Sequence, residues 1–122
     1  MKKKNGLTKV YFKDGTPESV GRYKNGVRVG PWKFYLRNGR VRAAGTFVAG
    51  KLSGLWRWWR EDGKPLQAGR FVANRQAGLW KRWHKTGKLM DVGKYVDGRK
   101  VGVWKYYDPR GALKRTQDHW SR

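Results

Sequence analysis

The chain repeats itself every 24 residues, and no other feature constrains its fold as strongly. Four segments stand in register without an insertion or deletion: Gly30-Pro-Trp-Lys-Phe-Tyr, Gly54-Leu-Trp-Arg-Trp-Trp, Gly78-Leu-Trp-Lys-Arg-Trp and Gly102-Val-Trp-Lys-Tyr-Tyr. A fifth copy begins at Gly6, where Thr8 replaces the tryptophan. A chain built from one short unit folds into a stack in which each unit contacts mainly its neighbours. Such stacks present long binding surfaces, so we look for function on a face.

Further glycines recur inside each copy and predict where the chain turns. They stand nine, fifteen and twenty residues after the opening glycine, in three columns: Gly15, Gly39, Gly63, Gly87 and Gly111; Gly21, Gly45, Gly69 and Gly93; Gly26, Gly50, Asn74 and Gly98. Pairs such as Asp14-Gly15 and Asn25-Gly26 are typical of hairpin turns. Each copy therefore predicts two short strands. The whole chain predicts an all-β fold, an elongated, curved antiparallel meander of about ten strands built from β-hairpin repeats.

The register of this sheet follows if every loop has two residues. Trp32, Trp56 and Trp80 then pair with Gly45, Gly69 and Gly93, and we expect each indole to cover the glycine opposite it. The same register places Tyr23, Phe47, Phe71 and Tyr95 opposite the opening glycines of their own copies, where a ring is also expected to cover the glycine. A three-residue loop with a bulge would shift this register.

Side chains alternate along a strand, so the two faces of the sheet can be assigned. The apolar face receives the glycines and most rings: Trp32, Trp56, Trp80, Trp104, Phe34, Trp58, Tyr106 and the column from Tyr23 to Tyr95. The basic face receives two basic columns and a column of rings: Lys9, Lys33, Arg57, Lys81 and Lys105; Arg22, Arg70 and Lys94; Tyr11, Tyr35, Trp59, Trp83 and Tyr107. A soluble monomer rarely exposes so large an apolar patch. The sheet could curl over its rings, pair with a second copy, or bind a partner there.

The net charge of +22, from 30 Lys and Arg against eight Asp and Glu, predicts a polyanion or an acidic protein surface as the partner. Cysteine is absent, which excludes disulfides and thiolate metal sites. No apolar run follows the lysines at the start, so we expect a non-exported, cytoplasmic protein. The predicted organisation is a basic arm over residues 1–5, one repeat domain over 6–116 and a tail over 117–122. Its copies span residues 6–29, 30–53, 54–77, 78–101 and 102–116.

The combination of Gly-x-Trp-Lys-x-Tyr, Asn-Gly and Gly-x-Phe/Tyr-x-x-Gly resembles the bacterial variant of the MORN (membrane occupation and recognition nexus) repeat. The resemblance extends from residue 6 to about residue 116. It implies a hairpin-repeat fold and a binding role. Proteins similar to this variant include antitoxins or immunity proteins paired with a toxin, and other MORN proteins contact membrane lipids or act as scaffolds.

Residues suited to catalysis are few. His84 stands where other copies carry Phe12, Leu36 and Arg60, so we interpret it as a variable surface residue. His119 lies too far from it for a shared metal site. Asp14, Asp62 and Asp97 fall at turns, where they cap the local backbone. Asp118 and His119 are adjacent on a strand and so point to opposite faces. We predict no enzymatic activity, no metal and no cofactor.

The leading hypothesis is a binding protein whose basic face holds an acidic macromolecule. In this hypothesis the partner is an acidic protein, and the family resemblance implies that this protein is a toxin or effector. The alternatives are a nucleic acid bound without sequence preference, an anionic membrane, and a homodimer. The predicted partner-binding residues are Lys33, Tyr35, Arg57, Trp59, Arg70, Lys81, Trp83, Lys94, Lys105 and Tyr107.

Overall fold

Ten antiparallel strands form one open sheet in the order of the sequence, as a computed structural model of residues 3–119 describes. The strands are β1 (Gly6–Tyr11), β2 (Pro17–Lys24), β3 (Val27–Tyr35), β4 (Val41–Val48), β5 (Lys51–Trp59), β6 (Pro65–Val72), β7 (Arg75–Trp83), β8 (Leu89–Val96), β9 (Arg99–Tyr107) and β10 (Leu113–His119). The predicted all-β meander is confirmed. Strand β10 includes residues 117–119 of the predicted tail. Residues 1–2 of the predicted arm and 120–122 of the tail lie outside the described residues.

Two-residue turns connect each even strand to the next odd strand. The first turn residue is not glycine in any of these turns and still has a positive φ, with values of 50° at Asn25 and 49° at Ala49. The second has a positive φ as well, and Asn74, which replaces glycine in its copy, reaches 73°. Two positive φ angles in succession define the type I′ turn, whose twist matches that of the flanking strands. The predicted turn column is therefore confirmed.

The predicted two-residue loop is wrong for the other turn of each copy, which has three residues. Gly15 donates its amide to the Phe12 carbonyl at 2.9 Å, and Phe12 donates its own amide to the Thr16 carbonyl at 2.8 Å. The predicted register nevertheless holds, with Trp32 paired to Gly45 and Gly6 to Tyr23. A bulge next to each loop restores the register that the third loop residue shifts.

The glycine that each indole covers differs from the prediction. Although Trp56 pairs with Gly69 on β6, its indole lies over Gly45 on β4, on the other side of β5. A Cβ built on Gly45 would lie 2.1 Å from the Cδ2 atom of Trp56. Gly21, Gly69 and Gly93 are covered in the same way by the indoles of Trp32, Trp80 and Trp104. Each indole therefore joins its own copy to the preceding one.

The opening glycines serve a different purpose from the predicted one. Tyr23 and Phe47 do pair with the opening glycines of their copies, but nothing lies within 4 Å of a Cβ built on Gly6 or Gly30. Three residues, Gly30 to Trp32, stand opposite the single residue Gly21 in a bulge, where Gly30 has a φ of 70°. The glycine therefore permits the bulge that turns the indole toward the preceding copy.

Aromatic rings on the apolar face bury one another within this single chain. Trp32 is 1% exposed, and the rings of Tyr23 and Phe47 meet its indole edge-to-face at centroid distances of 5.1 and 6.0 Å. The guanidinium of Arg28 lies 4.9 Å from its ring centroid. Trp56, Trp80 and Trp104 are 2–3% exposed. The single chain therefore buries its own indoles. Neither of the other two alternatives, a second copy or a bound partner, is needed to cover them.

Candidate binding surface

The predicted partner-binding residues all lie on the basic face, as strand pairing places them. Lys33 and Arg57 pair with opposite edges of β4 at Ala44, and Arg57 and Lys81 flank Ala68 on β6 in the same way. The column continues through Val92 to Lys105. Lysine and arginine side chains are therefore separated along the stack by small apolar residues on the intervening strands.

The ring column runs along one flank of the basic residues. Tyr35, Trp59, Trp83 and Tyr107 are half-buried, whereas Tyr11 in the first copy is 53% exposed. Their partners on the next strand are apolar too, with Trp59 paired to Pro65 and Trp83 to Leu89. The four rings are therefore partly exposed beside a cationic column, an arrangement typical of anchor residues in protein interfaces.

Sequence reasoning missed two apolar columns on the basic face. One consists of Leu7, Pro31, Leu55, Leu79 and Val103, and the leucines and valine in it are 41–61% exposed. The other, nearer the two-residue turns, includes Val48, Val72 and Val96, which are 55–66% exposed. Alternation alone could have found both, because Leu55 stands two residues before Arg57 on β5 and Val72 stands two residues after Arg70 on β6. The basic face is therefore a mixed cationic and apolar surface.

Shallow grooves recur on this face in successive copies. Their volumes are about 590, 430 and 340 Å³. The largest is lined by Lys33, Ala44 and Trp59, and the next copy repeats the arrangement with Arg57, Ala68 and Trp83. The floor is the small residue between two cations, and a ring forms one wall.

Cations are unequally divided between the two faces. Among strand residues whose face the pairing assigns, twelve lie on the basic face: Lys9, Arg22, Lys24, Lys33, Lys51, Arg57, Arg70, Arg75, Lys81, Lys94, Arg99 and Lys105. Four lie on the apolar face: Arg28, Arg82, Lys100 and Arg115. Asp118 is the one carboxylate that the same pairing places on the basic face. The basic face therefore attracts anions along its length.

One pair on the apolar face, Arg82 and Asp91, also escaped sequence reasoning. Asp91 is 1% exposed, and both of its carboxylate oxygens accept hydrogen bonds from the Arg82 Nε, at 3.1 and 3.2 Å. These bonds to Asp91 raise the pKa of Arg82. The second copy places a ring and a small residue here, Phe34 and Ala43. Arg82 and Asp91 pair in the same register as Trp80 and Gly93, so the predicted register was the signal that could have identified this pair.

Three of the residues considered for catalysis make local structural contacts. His84 is half-buried, and its Nε2 lies 2.7 Å from the carbonyl oxygen of Tyr107 in the next copy, so it is not simply a surface residue. Asp14 and Asp62 accept backbone amides two residues on, as predicted, at 3.0 and 2.9 Å. Over residues 3–119, no three His, Asp or Glu side chains gather where they could hold a metal ion. That part of the chain also has no helix able to cross a membrane.

The family model described as "MORN repeat variant" matches residues 4–25, 76–97 and 100–120, more than half of the chain. The protein therefore belongs to the MORN repeat family. The repeats of this family generally act as binding modules, and the long cationic face fits that class.

Comparison with curated proteins finds no match. Among solved structures, similarity is found to a mutant of S. aureus TarM in complex with fondaparinux, alpha-GlcNAc-glycerol and UDP, with 10% identity and a TM-score of 0.48. A second TarM structure has 11% identity and a TM-score of 0.47. The alignments cover 79% and 83% of this chain but only 19% and 20% of the TarM chains. This similarity is too weak to bear on function.

Proposed function

We propose that the protein is a non-enzymatic binding protein whose basic face holds an acidic partner protein. The observation that carries the proposal is the sharing of one face by cations, half-buried rings and exposed leucines. Arg57, Trp59 and Leu55 alternate on β5 toward that face, and Lys81, Trp83 and Leu79 do so on β7.

The charge distribution supports an anionic partner. With one carboxylate among the assigned residues of this face, the twelve cations there have almost no internal counter-charge. Such a surface raises the association rate with anions and makes binding sensitive to salt. The rings and the arginines at the centre of the stack would supply most of the affinity, and the remaining charge would steer the encounter.

The apolar column that includes Leu79 favours a protein over a nucleic acid. Leu79 is 51% exposed and Val103 is 57% exposed on the same face as the cations. Nucleic-acid interfaces are strongly polar and positively charged, whereas the centre of a protein interface buries apolar side chains. A phosphate backbone would leave these leucines and valines without a complementary surface.

The finer form of the proposal is that the partner is a toxin or effector enzyme, which the protein neutralises by covering its active site. The support for this is the resemblance to MORN-variant proteins that act as antitoxins or immunity proteins. A single-layer sheet with a long cationic face is suited to cover an acidic surface around a cleft.

The test is a pull-down from the native host with charge-reversal variants. Arg57→Glu with Lys81→Glu changes the centre of the basic face, and Lys85→Glu with Arg110→Glu makes the same change in net charge at exposed loop positions. We expect the wild type and the loop variant to retain one defined protein chain, and the face variant to lose it. Equal retention by both variants would show that the basic face is not the binding surface.

The same preparation separates the alternative partners. Bound nucleic acid gives a high ratio of absorbance at 260 to 280 nm that nuclease and high salt abolish. Sedimentation with vesicles that contain anionic lipid tests the membrane alternative. Either result, without a protein chain that depends on Arg57 and Lys81, would replace the acidic protein as the proposed partner.

A further inference from the structure

The geometry of the basic face points to the shape of its partner. Resting on the proposed function, we infer that the occupant is an acidic amphipathic α-helix of the partner protein, lying along the stack with one heptad of helix for each copy. The inference depends on the repeat length of the sheet, the separation of its ring and leucine columns and the placement of charge beside apolar residues.

The repeat lengths of the two structures agree. Each copy adds two strands, which at a spacing of about 4.8 Å advance the basic column by roughly 9.6 Å. Seven residues of α-helix advance by about 10.5 Å, since the rise is 1.5 Å per residue. From Lys33 to Lys105 the difference accumulates to roughly 3 Å, well below one repeat. Residues seven apart on a helix therefore meet equivalent positions in successive copies.

A helix that lies along the basic column can contact both flanking columns. On β5, Leu55 and Trp59 leave the same face on either side of Arg57, with about 13 Å along the strand between their two Cα atoms. An α-helix with its side chains is about 10–12 Å wide, so one that lies over Arg57 reaches both side chains. Ala44 and Ala68 leave space between successive cations, so the helix can approach the sheet there.

Charge and apolar contacts specify which helix fits. One carboxylate per heptad would reach Lys33, Arg57, Lys81 and Lys105 in turn. One apolar side chain per heptad, on the neighbouring stripe of the helix, would cover Leu55, Leu79 and Val103. The exposed leucines and valine, which have no partner among the described residues, would thereby be removed from water.

Other rod-shaped segments fit less well. An extended strand repeats its side-chain direction every second residue, so the third residue, which lies about 10 Å on, points to the opposite side. A polyproline II segment has three residues per turn and advances about 9.3 Å. It is a thinner rod than an α-helix and would leave either the ring column or the leucine column uncovered.

The experiment uses the full chain and three fluorescein-labelled synthetic peptides. The first has four heptads with one leucine and one glutamate at fixed positions in each, so that it presents adjacent apolar and acidic stripes. The second has the same composition and net charge with the seven-residue spacing destroyed. The third repeats Glu-Pro-Pro. Fluorescence anisotropy at about 150 mM salt measures binding, and circular dichroism measures helix formed on binding.

Two matched pairs of substitutions locate the binding site. Leu55→Ser with Leu79→Ser removes the leucine column at the centre of the stack, whereas Val48→Ser with Val72→Ser removes two exposed apolar side chains on the same face outside the proposed helix site. We expect the first pair to weaken binding of the heptad peptide by about tenfold and the second to change it by less than about twofold. Ala68→Val, which raises the floor at an existing strand position, should weaken binding without unfolding the sheet.

The expected result is binding of the heptad peptide at least about tenfold tighter than that of the shuffled peptide, with a gain in helix content. Equal, salt-sensitive binding of both acidic helices would overturn the helix inference while leaving the acidic partner in place. Preference for the Glu-Pro-Pro peptide, or no binding of any peptide, would overturn it as well. The pull-down with the Arg57 and Lys81 variants tests the proposed function independently of all these outcomes.

Discussion

The indole of Trp56 lies flat against the backbone of Gly45, and its Nε1 donates a hydrogen bond of 3.0 Å to the carbonyl of Thr46, the next residue on the same strand. The contact joins two consecutive copies of the repeat, because Gly45 lies on the second strand of one copy and Trp56 on the first strand of the next. The same pair of contacts recurs with Trp32, Trp80 and Trp104. In a stack stabilised by contacts between neighbours, this is the principal interface between units.

Substituting Gly45 by Ala should break this interface. A Cβ 2.1 Å from the indole forces the ring or the strand to move, so we expect a loss of about 3 kcal/mol in the free energy of unfolding. Urea denaturation measures it. In a Trp56→Ala background the added cost of Gly45→Ala should fall below about 1 kcal/mol, because the clashing ring is gone. Additive costs in the double variant would show that the indole does not cover this glycine.

The type I′ turns predict a pair of substitutions with opposite effects. Ala49 has a φ of 49°, which is costly for alanine and readily adopted by asparagine. Ala49→Asn should therefore stabilise the protein by about 0.5–1 kcal/mol, as measured by thermal or urea unfolding. Asn25→Ala, at the same turn position of another copy, should destabilise it by a similar amount. Effects of the same sign would contradict the turn assignment.

The Arg82 and Asp91 pair should be costly to break and simple to replace. Arg82→Ala leaves a buried carboxylate without its partner, and because the Arg82 side chain is 51% exposed we expect a loss of about 2–3 kcal/mol. Arg82→Phe with Asp91→Ala recreates the Phe34 and Ala43 pair of the second copy. The double variant should be at least as stable as the wild type in urea denaturation. A double variant with a lower free energy of unfolding than Arg82→Ala would refute this explanation.

Asp14 should make a small pH-dependent contribution to stability. Hydrogen bonds from the hydroxyl and then the amide of Thr16 lower the pKa of Asp14 below its ordinary value of 3.8. Its contribution is therefore present above pH 3.8 and is lost as the pH falls through the lower folded pKa. The stability difference between wild type and Asp14→Ala should shrink between about pH 6 and pH 2.5, measured by thermal unfolding. The same comparison is made with Asp14→Asn as a second reference variant. A stability difference from the wild type that does not change with pH would contradict this role of Asp14.

The sequence predicts the strands, the register and the two faces because the 24-residue period repeats the same information five times. Dipeptides such as Asn25-Gly26 identify one set of turns, and alternation then assigns every strand residue to a face. A single copy would leave the register ambiguous, since the three-residue loop that ends at Gly15 looks like a two-residue loop. The predicted register is correct because a bulge beside each loop compensates for the extra loop residue.

The direction of the indoles could not be predicted from pairing. Cα pairing states which residue is opposite Trp56, but the ring can lie toward either neighbouring strand. The choice follows from the bulge at Gly54, where a φ of 68° redirects β5 and brings the indole of Trp56 over Gly45. Without coordinates, the opening glycine and the covered glycine appear equivalent.

The candidate site was predicted in part for a similar reason. The charge pattern identifies Arg57 and Lys81 but not the exposed leucines on the same face. Turn dipeptides identify carboxylates in loops, whereas Asp91 lies within a strand. Its pairing with Arg82 nevertheless follows from the predicted register.

Site-specific photo-crosslinking in the native host tests the central claim most directly. A photoreactive phenylalanine at Leu79 stands on the basic face, and one at Gln76 stands on the apolar face of the same strand. We predict that the Leu79 position forms a covalent adduct with one acidic protein chain, that the Arg57→Glu and Lys81→Glu changes abolish the adduct, and that the Gln76 position forms none. Adducts to that chain from Gln76 and not from Leu79 would show that the partner binds the opposite face.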